Sequence, residues 1–406
     1  MNNIEYHTLS NGLRIVHRQS HSAVEYCGVA INAGSRDESE HEHGLAHFVE
    51  HTIFKGTQKR RSCHIINRME SVGGELNAYT TKEETMLYSI FPFGNFERAV
   101  ELIADLVTSS NFPKSEIDKE REVVAEEINS YLDTPSEAVF DDFEDLIFKG
   151  SSLGHNILGN VDSISTFTSQ ICSDYLTRNY VPTRMVFFYM GEMPSDKTFR
   201  IVEKYFNIIP NKQSSIMRIK PKSVDIFNIS KSINCHQSHS IIGTRLPSMH
   251  TELRHPIALL TNMLGGPGMN SILNITLRER RGLVYTVDAS SSLLTDTGLF
   301  TIYFGCDTSD TEKCRKLIFN ELDKLCSIEI SPAKLEKIKK QHLGQILVAS
   351  DNREQMALST ARATLYFNKV ASSEEIAEHI MSVTPTQLSE AAQLIAPQNC
   401  STLTLY

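Results

Sequence analysis

The sequence predicts an α+β protein of two similar domains, each a mainly antiparallel sheet with helices packed on one face. The chain has 406 residues, which is more than a single hydrophobic core usually serves. Two strand patterns followed by two helix patterns occur in the first half, and the same order recurs about 200 residues later. We therefore interpret the chain as an internal duplication, with domains at 1–210 and 216–406 and a polar linker at 211–215.

The first half opens with strand patterns. Asn11-Gly12, between two apolar runs, predicts a hairpin with a type I′ turn, because both residues tolerate a positive φ. The other strands predicted here are 26–31, 76–80, 86–91 and 185–190. The helices predicted here are 44–54, 96–109 and 114–132. Gly56 is a suitable C′ residue for the first of these helices, since glycine adopts the left-handed conformation freely.

The second half repeats this order of elements. Its predicted strands are 283–289 and 298–304, and its predicted helices are 311–325 and 332–349. The start of each long helix is alike, with Pro113 directly before the helix in the first half and Pro332 at the first position of the helix in the second half. The halves share few residues otherwise, so the duplication depends on element order.

Composition excludes several classes of protein. With 40% hydrophobic and 22% charged residues the chain is globular, and its net charge of −9 disfavours nucleic acid as a partner. No apolar run approaches the roughly 18 residues of a membrane span, and the polar N-terminus does not resemble a signal peptide. The eight cysteines are scattered without a CxxC pair, which is typical of reduced thiols. These observations predict a cytoplasmic protein with no membrane partner.

The sharpest motif is His47-Phe48-Val49-Glu50-His51, an HxxEH run within a predicted helix. His47 and His51 are four residues apart, so their rings share one face of the helix and can reach one zinc ion. Glu50 lies one turn after His47 and can reach a metal-bound water without being a ligand. The alternative is a pair of histidines on an ordinary helix that packs or meets solvent.

A catalytic zinc site needs a third protein ligand, and the helix at 114–132 offers candidates. At 100° per residue, four apolar residues fall within an arc of about 60°: Ile117, Val124, Ile128 and Tyr131. Glu120 and Glu127 lie at the edge of that arc. Glu122 and Glu126 point away from it. A carboxylate beside an apolar stripe is costly unless it is paired or binds metal. The alternative is an amphipathic helix with stray acids at its boundary, an alternative weakened by the HxxEH motif.

With these motifs in place, the sequence resembles the pitrilysin, insulin-degrading enzyme and mitochondrial processing peptidase family of inverzincin metallopeptidases. HxxEH is the inverzincin motif, and its flanking residues, 42–57, are similar to the family's segment. Residues 120–127 resemble the family's second metal segment. The length matches the short, single-half bacterial members, and the resemblance covers essentially the whole chain in element order.

The resemblance implies a role for each matching residue. It makes Glu127 the third zinc ligand, beside His47 and His51, and Glu120 an acid that supports a ligand. Residues 73–80 resemble the strand that aligns the substrate backbone, which implies that Asn77 and Ala78 bind substrate. Residues 278–285 resemble the family's RExxGLxY segment, which implies that Arg278 and Tyr285 contact the substrate or the reacting carbonyl.

The activity implied is that of a zinc-dependent endopeptidase acting on peptides or unfolded segments, with one zinc ion per chain. The metal lowers the pKa of its bound water toward about 7, and Glu50 takes the proton. The resemblance also implies a homodimer in which Arg278 and Tyr285 of one chain serve the zinc of the other. The domain at 216–406 is expected to lack metal ligands.

Two other classes of function remain open on sequence alone. One is a non-catalytic structural or assembly subunit, like the core proteins of respiratory complexes, although intact motif residues argue against it. The other is a metal-dependent hydrolase that acts on a substrate other than a peptide. Zinc content and a digest of mixed peptides discriminate between these classes and the peptidase.

Overall fold

A computed structural model describes residues 4–212, 217–233, 235–327 and 330–406. Residues 213–215 of the predicted linker and residue 216, the predicted start of the second domain, lie outside these ranges. The eleven described strands are β1 Ile4–Thr8, β2 Arg14–Gln19, β3 Val24–Ile31, β4 Glu75–Thr80, β5 Thr85–Pro92, β6 Met185–Gly191, β7 Asn228–Lys231, β8 Ser238–Leu246, β9 Val284–Leu293, β10 Gly298–Cys306 and β11 Ser401–Leu405.

The described α-helices in the first half of the chain are α1 Leu45–Ile53, α2 Ser62–Glu70, α3 Phe96–Ser109, α4 Lys114–Leu132, α5 Pro135–Ile147, α6 Val161–Ser165, α7 Ser169–Asn179 and α8 Ser195–Phe206. Those in the second half are α9 Arg254–Gly265, α10 Thr311–Ser327, α11 Pro332–Ala349, α12 Arg353–Phe367, α13 Ser373–Ser382 and α14 Pro385–Leu394. A short π-helical segment, Asn274–Glu279, precedes β9.

The chain forms two compact units, each assembled from three segments. The first unit comprises Met1–Asn129, His155–Arg218 and Ser350–Ser372. The second unit comprises Ser130–Gly154, Ile219–Ala349 and Ser373–Tyr406. Each unit therefore includes one segment from the other half of the sequence: α12 belongs to the first unit and α5 to the second. The division of the sequence at 1–210 and 216–406 stays a prediction about the two homologous halves.

The first unit is built on a six-stranded sheet of order β1-β2-β6-β3-β5-β4. Neighbouring strands are antiparallel except β2 and β6. The predicted hairpin is present, with Thr8 paired to Arg14. Its turn is not the type I′ turn we predicted, because only Gly12 has a positive φ and the loop spans Leu9 to Leu13. Within this loop, the Asn11 side chain donates to the carbonyl oxygens of Phe206 and Ile209.

Helices cover both faces of this sheet. Phe187 on β6 packs against Phe96 of α3 and Phe206 of α8. The adjacent Phe188 points to the other face, as alternation along a strand requires, and belongs to a cluster with Ala357 of α12. The fold class was therefore correct, whereas our placement of helices on one face left out the helix that arrives from the distant 350–372 segment.

The second unit has a five-stranded sheet of order β7-β11-β8-β10-β9, and it too is covered on both faces. Ile242 and neighbouring side chains pack with α9, α10 and α14. Ile241, on the opposite face, packs with Phe143 of α5. The β7–β11 pair is parallel and the other pairs are antiparallel. A β-sheet that is buried on both sides needs an apolar layer packed on each face. In this unit α5, the helix from the other half of the sequence, supplies one of these layers.

The helix that carries HxxEH is shorter than we predicted. It starts at Leu45 and its C-cap is Phe54, so Lys55 and not Gly56 occupies C′. Gly56 forms an isolated bridge with Arg61 instead, and its Cβ would lie 2.9 Å from the side chain of Asn111. This glycine is thus required by a close approach between two segments and not by the left-handed conformation of a helix end.

Among the described residues, every helix is too short or too polar to cross a bilayer. All eight cysteines are free thiols.

Candidate metal centre

Three side chains from two helices converge in the first unit. His47 and His51 project from α1, and Glu127 projects from α4. The His47 Nε2 atom lies 3.8 Å from Glu127 Oε1, and the His51 Nε2 atom lies 3.5 Å from Glu127 Oε2. One ligand atom from each residue can be chosen so that all three lie within 4.8 Å of one another. In the described part of the chain this is the single such group of three or more metal-ligating side chains.

These distances fit a zinc ion. Ligand atoms that share a tetrahedral zinc at about 2.0–2.1 Å lie about 3.4 Å apart, which is close to the 3.5 and 3.8 Å observed. Two imidazole nitrogens and one carboxylate form a donor set typical of catalytic zinc, and they leave a fourth position open. The residues present therefore fit the metal.

Glu120 orients one of these histidines. Its Oε1 atom lies 3.0 Å from His51 Nδ1, which leaves Nε2 free to face the metal position. Its Oε2 atom accepts a salt bridge from Lys55 at 2.8 Å. A carboxylate that holds the far nitrogen of a histidine ligand fixes both its ring orientation and its tautomer. The Glu120 side chain is 7% exposed, while Glu122 and Glu126 are exposed, as the helical periodicity predicts.

The electrostatics of the two histidines differ. Burial, together with the charge of neighbouring His51, lowers the pKa of His47 to about 3. Burial also lowers the pKa of His51, but the hydrogen bond that its ring donates to Glu120 and the charges of Glu127, Glu120 and Glu50 outweigh it, so the pKa is raised overall. His47 is consequently neutral, as a histidine that binds metal must be. At His51, a proton competes more strongly with the metal for the imidazole.

Glu50 lies on the same helix, between the two histidines, and is mostly buried. Burial raises the pKa of its carboxyl, although the nearby Thr80 hydroxyl and the charge of His51 oppose this. Its Oε2 atom is buried without a hydrogen-bond partner among the described residues. A carboxylate with a raised pKa and a free oxygen is suited to accept a proton from a water molecule beside it.

The N-terminus of α1 is held by a buried acid. Glu38 accepts hydrogen bonds from the backbone N–H groups of Gly44 and Ala46, at 2.9 and 2.6 Å, and so satisfies two of the donors that a helix start leaves free. His155 contacts the same carboxylate at 2.9 Å. The two backbone hydrogen bonds to Glu38 fix where α1 begins and therefore where His47 points.

The predicted substrate residues Asn77 and Ala78 lie on β4, at the end of the first sheet. They pair with Tyr88 and Leu87 of β5. Since β4 has a strand on only one side, its other edge carries backbone groups that could pair with an extended chain. Thr80, beside Glu50, is the last residue of this strand.

Arg278 and Tyr285 belong to the second unit. Arg278 lies in the π-helical segment and is exposed. Tyr285, on the edge strand β9, is 58% exposed, and its hydroxyl donates to Asp307 at 3.4 Å. Both side chains are therefore accessible on the surface of that unit.

Sequence reasoning missed Lys55, Thr80 and Glu38. Lys55 follows His51 by four residues, a spacing that could have suggested a shared partner. Thr80 and Glu38 gave no comparable signal, because their contacts with Glu50 and α1 arise from chain segments that are distant in sequence or irregular.

The metal-binding half and the other half both match known families. Residues 14–161 match the family described as Insulinase (Peptidase family M16), and residues 166–342 match the Peptidase M16 inactive domain. The chain belongs to peptidase family M16. The group His47, His51 and Glu127 lies within the first match.

Relatives of similar length share this family. A protein of Mycobacterium leprae is 31% identical over 394 residues, covering 95% of this chain and 87% of its own, and is named an uncharacterised zinc protease. One from Bacillus subtilis with the same description is 29% identical, covering 94% of this chain and 92% of its own.

Solved structures show the same fold. A protease from Helicobacter pylori superposes with a TM-score of 0.93 at 23% identity, covering 100% of this chain and 99% of that one. A Pseudomonas fluorescens structure described as a peptidase M16 inactive domain gives 0.92 at 15% identity, covering 99% and 97%. The two-domain fold with a mixed sheet and helices in each half is thereby confirmed.

Proposed function

We propose that this M16 protein is a zinc-dependent endopeptidase. The observation that carries the proposal is the convergence of His47, His51 and Glu127, whose ligand atoms lie within 4.8 Å of one another beside the buried carboxyl of Glu50. The family and the names of the relatives support a zinc peptidase in general. Cleavage within a peptide chain, one zinc ion per chain and the role of Glu50 are the proposal's own additions.

The chain's own residues then divide the work. His47, His51 and Glu127 would hold zinc, and Glu120 keeps the His51 ring in place. Zinc, when bound, supplies a Lewis acid and lowers the pKa of a coordinated water toward about 7. Glu50 would accept a proton from the attacking water through its free Oε2 and would return it to the leaving amine. The raised pKa of Glu50 lies closer to neutral pH than that of an ordinary carboxyl, and proton exchange is efficient when the two are close.

Peptides or unfolded segments are the proposed substrates. The open edge of β4 would pair with an extended substrate backbone at Asn77 and Ala78. Arg278 and Tyr285 are proposed to contact the substrate or its reacting carbonyl, a role their exposure permits. We also propose that the protein is a homodimer, which sedimentation equilibrium would measure.

The test separates the base from the ligands. Glu50→Gln keeps the size of the side chain but cannot accept the proton, so it should bind zinc at the wild-type level and lose about 10²-fold or more of turnover. Zinc content by atomic emission and a mass-spectrometric digest of mixed peptides measure both quantities. A wild-type protein that binds zinc and cleaves no peptide would instead favour a non-catalytic subunit or a different substrate.

A further inference from the structure

The strand proposed to pair with substrate, β4, is contacted by a helix from a distant part of the sequence. In the first sheet, α12 packs mainly on β2, β3 and β6, whereas β4 lies at the edge, beyond β5. The main apolar contact of α12 is thus with the middle of the sheet. Polar side chains extend from the helix toward the edge.

Arg362 joins α12 to two residues of the β4–β5 hairpin. Its Nε atom donates to Glu84 Oε1 at 2.7 Å, and its Nη2 atom donates to the Tyr79 hydroxyl at 3.0 Å. The Tyr79 hydroxyl in turn donates to the same Glu84 oxygen at 3.3 Å. Burial, with the charge of Glu84, raises the pKa of Tyr79 to about 12, so the hydroxyl keeps the proton that it donates. The three side chains form a closed contact between the helix and the hairpin.

The surroundings of Glu84 strengthen this contact. The Glu84 side chain is 3% exposed, while that of Arg362 is 48% exposed. An ion pair with a buried partner is screened less by salt than a pair on the surface. The backbone of Glu84 is also fixed, because its carbonyl oxygen accepts from both the backbone N–H and the hydroxyl of Thr81. Arg362 therefore binds a carboxylate that is already held in place.

A second polar contact lies two turns earlier on the same helix. The Tyr88 hydroxyl donates to Glu354 Oε1 at 2.7 Å. Tyr88 is paired with Asn77, so this contact lies across from one of the predicted substrate residues. Glu354 and Arg362 are eight residues apart, which places both on one stripe of α12. The hairpin is thus tied to the helix at two points, one on β5 and one near the end of β4.

The two faces of β4 have different neighbours. Asn77 and Tyr79 project to the side of α12, since Tyr79 packs on the cluster that contains this helix. Ala78 and Thr80 project to the opposite side, as alternation along a strand requires, and Thr80 lies beside Glu50 there. Movement of Tyr79 would therefore displace its neighbours on the side of Glu50 and the backbone groups of the open edge.

We propose that Arg362 is a positioning residue for peptide hydrolysis, which holds β4 in place through Glu84 and Tyr79 so that its open edge can pair with the substrate backbone. This inference rests on the proposed function. A peptide gains affinity by pairing with an edge that is already ordered. If β4 is ordered only part of the time, the apparent affinity falls in proportion to that fraction. The zinc ligands lie on α1 and α4, so the chemical step after binding should not change.

Steady-state kinetics on a peptide substrate test this role. Arg362→Gln should raise KM about tenfold and leave kcat within about twofold, since it weakens binding of the substrate and of the transition state alike. Arg362→Lys keeps the charge but lacks the fork that reaches Glu84 and Tyr79 together, so its KM should lie between those of the wild type and the glutamine variant. A fall in kcat with an unchanged KM would overturn the positioning role.

The matched control is Arg14→Gln. Arg14, on β2, donates to the backbone carbonyl oxygens of Thr364 and Leu365, so this variant also removes an arginine that ties α12 to the sheet, but on the side away from β4. Its KM should match that of the wild type. An equal rise in KM for both variants would mean that loosening of α12 in general, and not the contact with β4, is responsible, and it would overturn the proposal.

A double variant separates positioning from direct contact with the substrate. If Arg362 acts through Glu84, the combination of Glu84→Gln with Arg362→Gln should raise KM no further than Arg362→Gln alone. A rise equal to the product of the two single effects would instead place Arg362 in contact with the peptide, against the positioning assignment.

Hydrogen exchange gives a readout that needs no catalysis. The backbone N–H groups that pair β4 with β5 should exchange about tenfold faster in Arg362→Gln than in Arg14→Gln. Equal exchange would disprove the link between Arg362 and β4, and faster exchange with a wild-type KM would disprove its role in hydrolysis. A wild-type protein that cleaves no peptide would contradict the proposed function instead, while the exchange rates would still decide whether Arg362 holds β4.

Discussion

At the residue scale, the metal centre depends on which side of α4 each acid faces. Glu120 and Glu127 are seven residues apart, two turns along one face, and they approach His51 from two directions. The neighbouring Glu126 is exposed. One residue of offset on a helix rotates a side chain by about 100°, which separates a ligand from a solvated acid.

Glu127→Ala should therefore lower zinc content steeply, whereas Glu126→Ala should leave it at the wild-type level. The two variants make the same chemical change on adjacent residues, so each serves as the control for the other. Metal content after dialysis against a weak chelator is the measurement. Loss of zinc from Glu126→Ala with retention by Glu127→Ala would reverse the face assignment.

The unequal histidines give a specific pH dependence. A protonated imidazole cannot bind metal, so zinc affinity should fall as the pH drops through the raised pKa of His51, above its usual 6.5. His47, with a pKa of about 3, stays neutral over this range. Affinity should thus fall about tenfold per pH unit and not a hundredfold, because one proton competes.

Competition with a chromophoric zinc chelator between about pH 5 and 8 measures this slope. A slope of two protons would show that His47 also titrates in this range. The control is Glu120→Gln, which removes the charge that raises the pKa of His51 and should move the onset of the decline to lower pH.

At the scale of the element, the start of α1 is fixed by close packing of backbone. Gly44 is the N-cap with φ +94°, and a Cβ there would lie 2.5 Å from the carbonyl oxygen of Leu158. Gly159 lies on the facing segment, and a Cβ added there would likewise come too close to the backbone of His43. The helix that holds two metal ligands therefore starts at a point where two glycines allow the backbones of two chain segments to pack closely.

Gly44→Ala should destabilise the protein more than Gly94→Ala. Gly94 has nearly the same φ, +91°, but nothing lies within 4 Å of its Cβ position. The left-handed conformation alone costs about 1–2 kcal/mol for alanine, and Gly44→Ala adds a clash with backbone to that cost. Urea denaturation compares the two variants, and only Gly44→Ala should also weaken zinc binding; equal effects would mean that the close approach does not matter.

At the scale of the whole molecule, each unit is completed by a helix from the other half of the sequence. In the first unit, α12 packs its buried residues Ala357, Leu358, Ala361 and Leu365 on a sheet face that contains Val16, Phe188 and Met190. Arg14 reaches the same helix, where its guanidinium donates to the carbonyl oxygens of Thr364 and Leu365. The N-terminal half therefore does not contain its whole core.

A fragment of residues 1–218 should accordingly bind a hydrophobic dye and lack a cooperative thermal transition, because an apolar sheet face is left in water. Joining residues 350–372 to it through a flexible linker should restore the transition. The control carries Leu358→Asp and Leu365→Asp in the added segment, and it should not rescue. If the bare fragment unfolds cooperatively without dye binding, α12 is not needed to cover the sheet.

The sequence by itself determined what depends on short-range periodicity. The bounds of α3 and α4 agree with the prediction, as do the pairing of His47 with His51 and the faces of Glu120 and Glu126, since these follow from the 3.6-residue repeat. The strands β4 and β5, which follow Gly73-Gly74, lie close to the predicted 76–80 and 86–91. The helices α2, α5 and α12 were not predicted.

Tertiary structure alone decided which of these elements meet. The spacing of His51 and Lys55 suggests a shared partner, but no local pattern indicates that this partner is Glu120, that Glu38 caps α1, or that α12 covers the first sheet. Periodicity describes which face of an element is apolar, but not which distant apolar face will cover it. That choice is made by the packing of the complete chain, where both faces of each sheet must be buried at once.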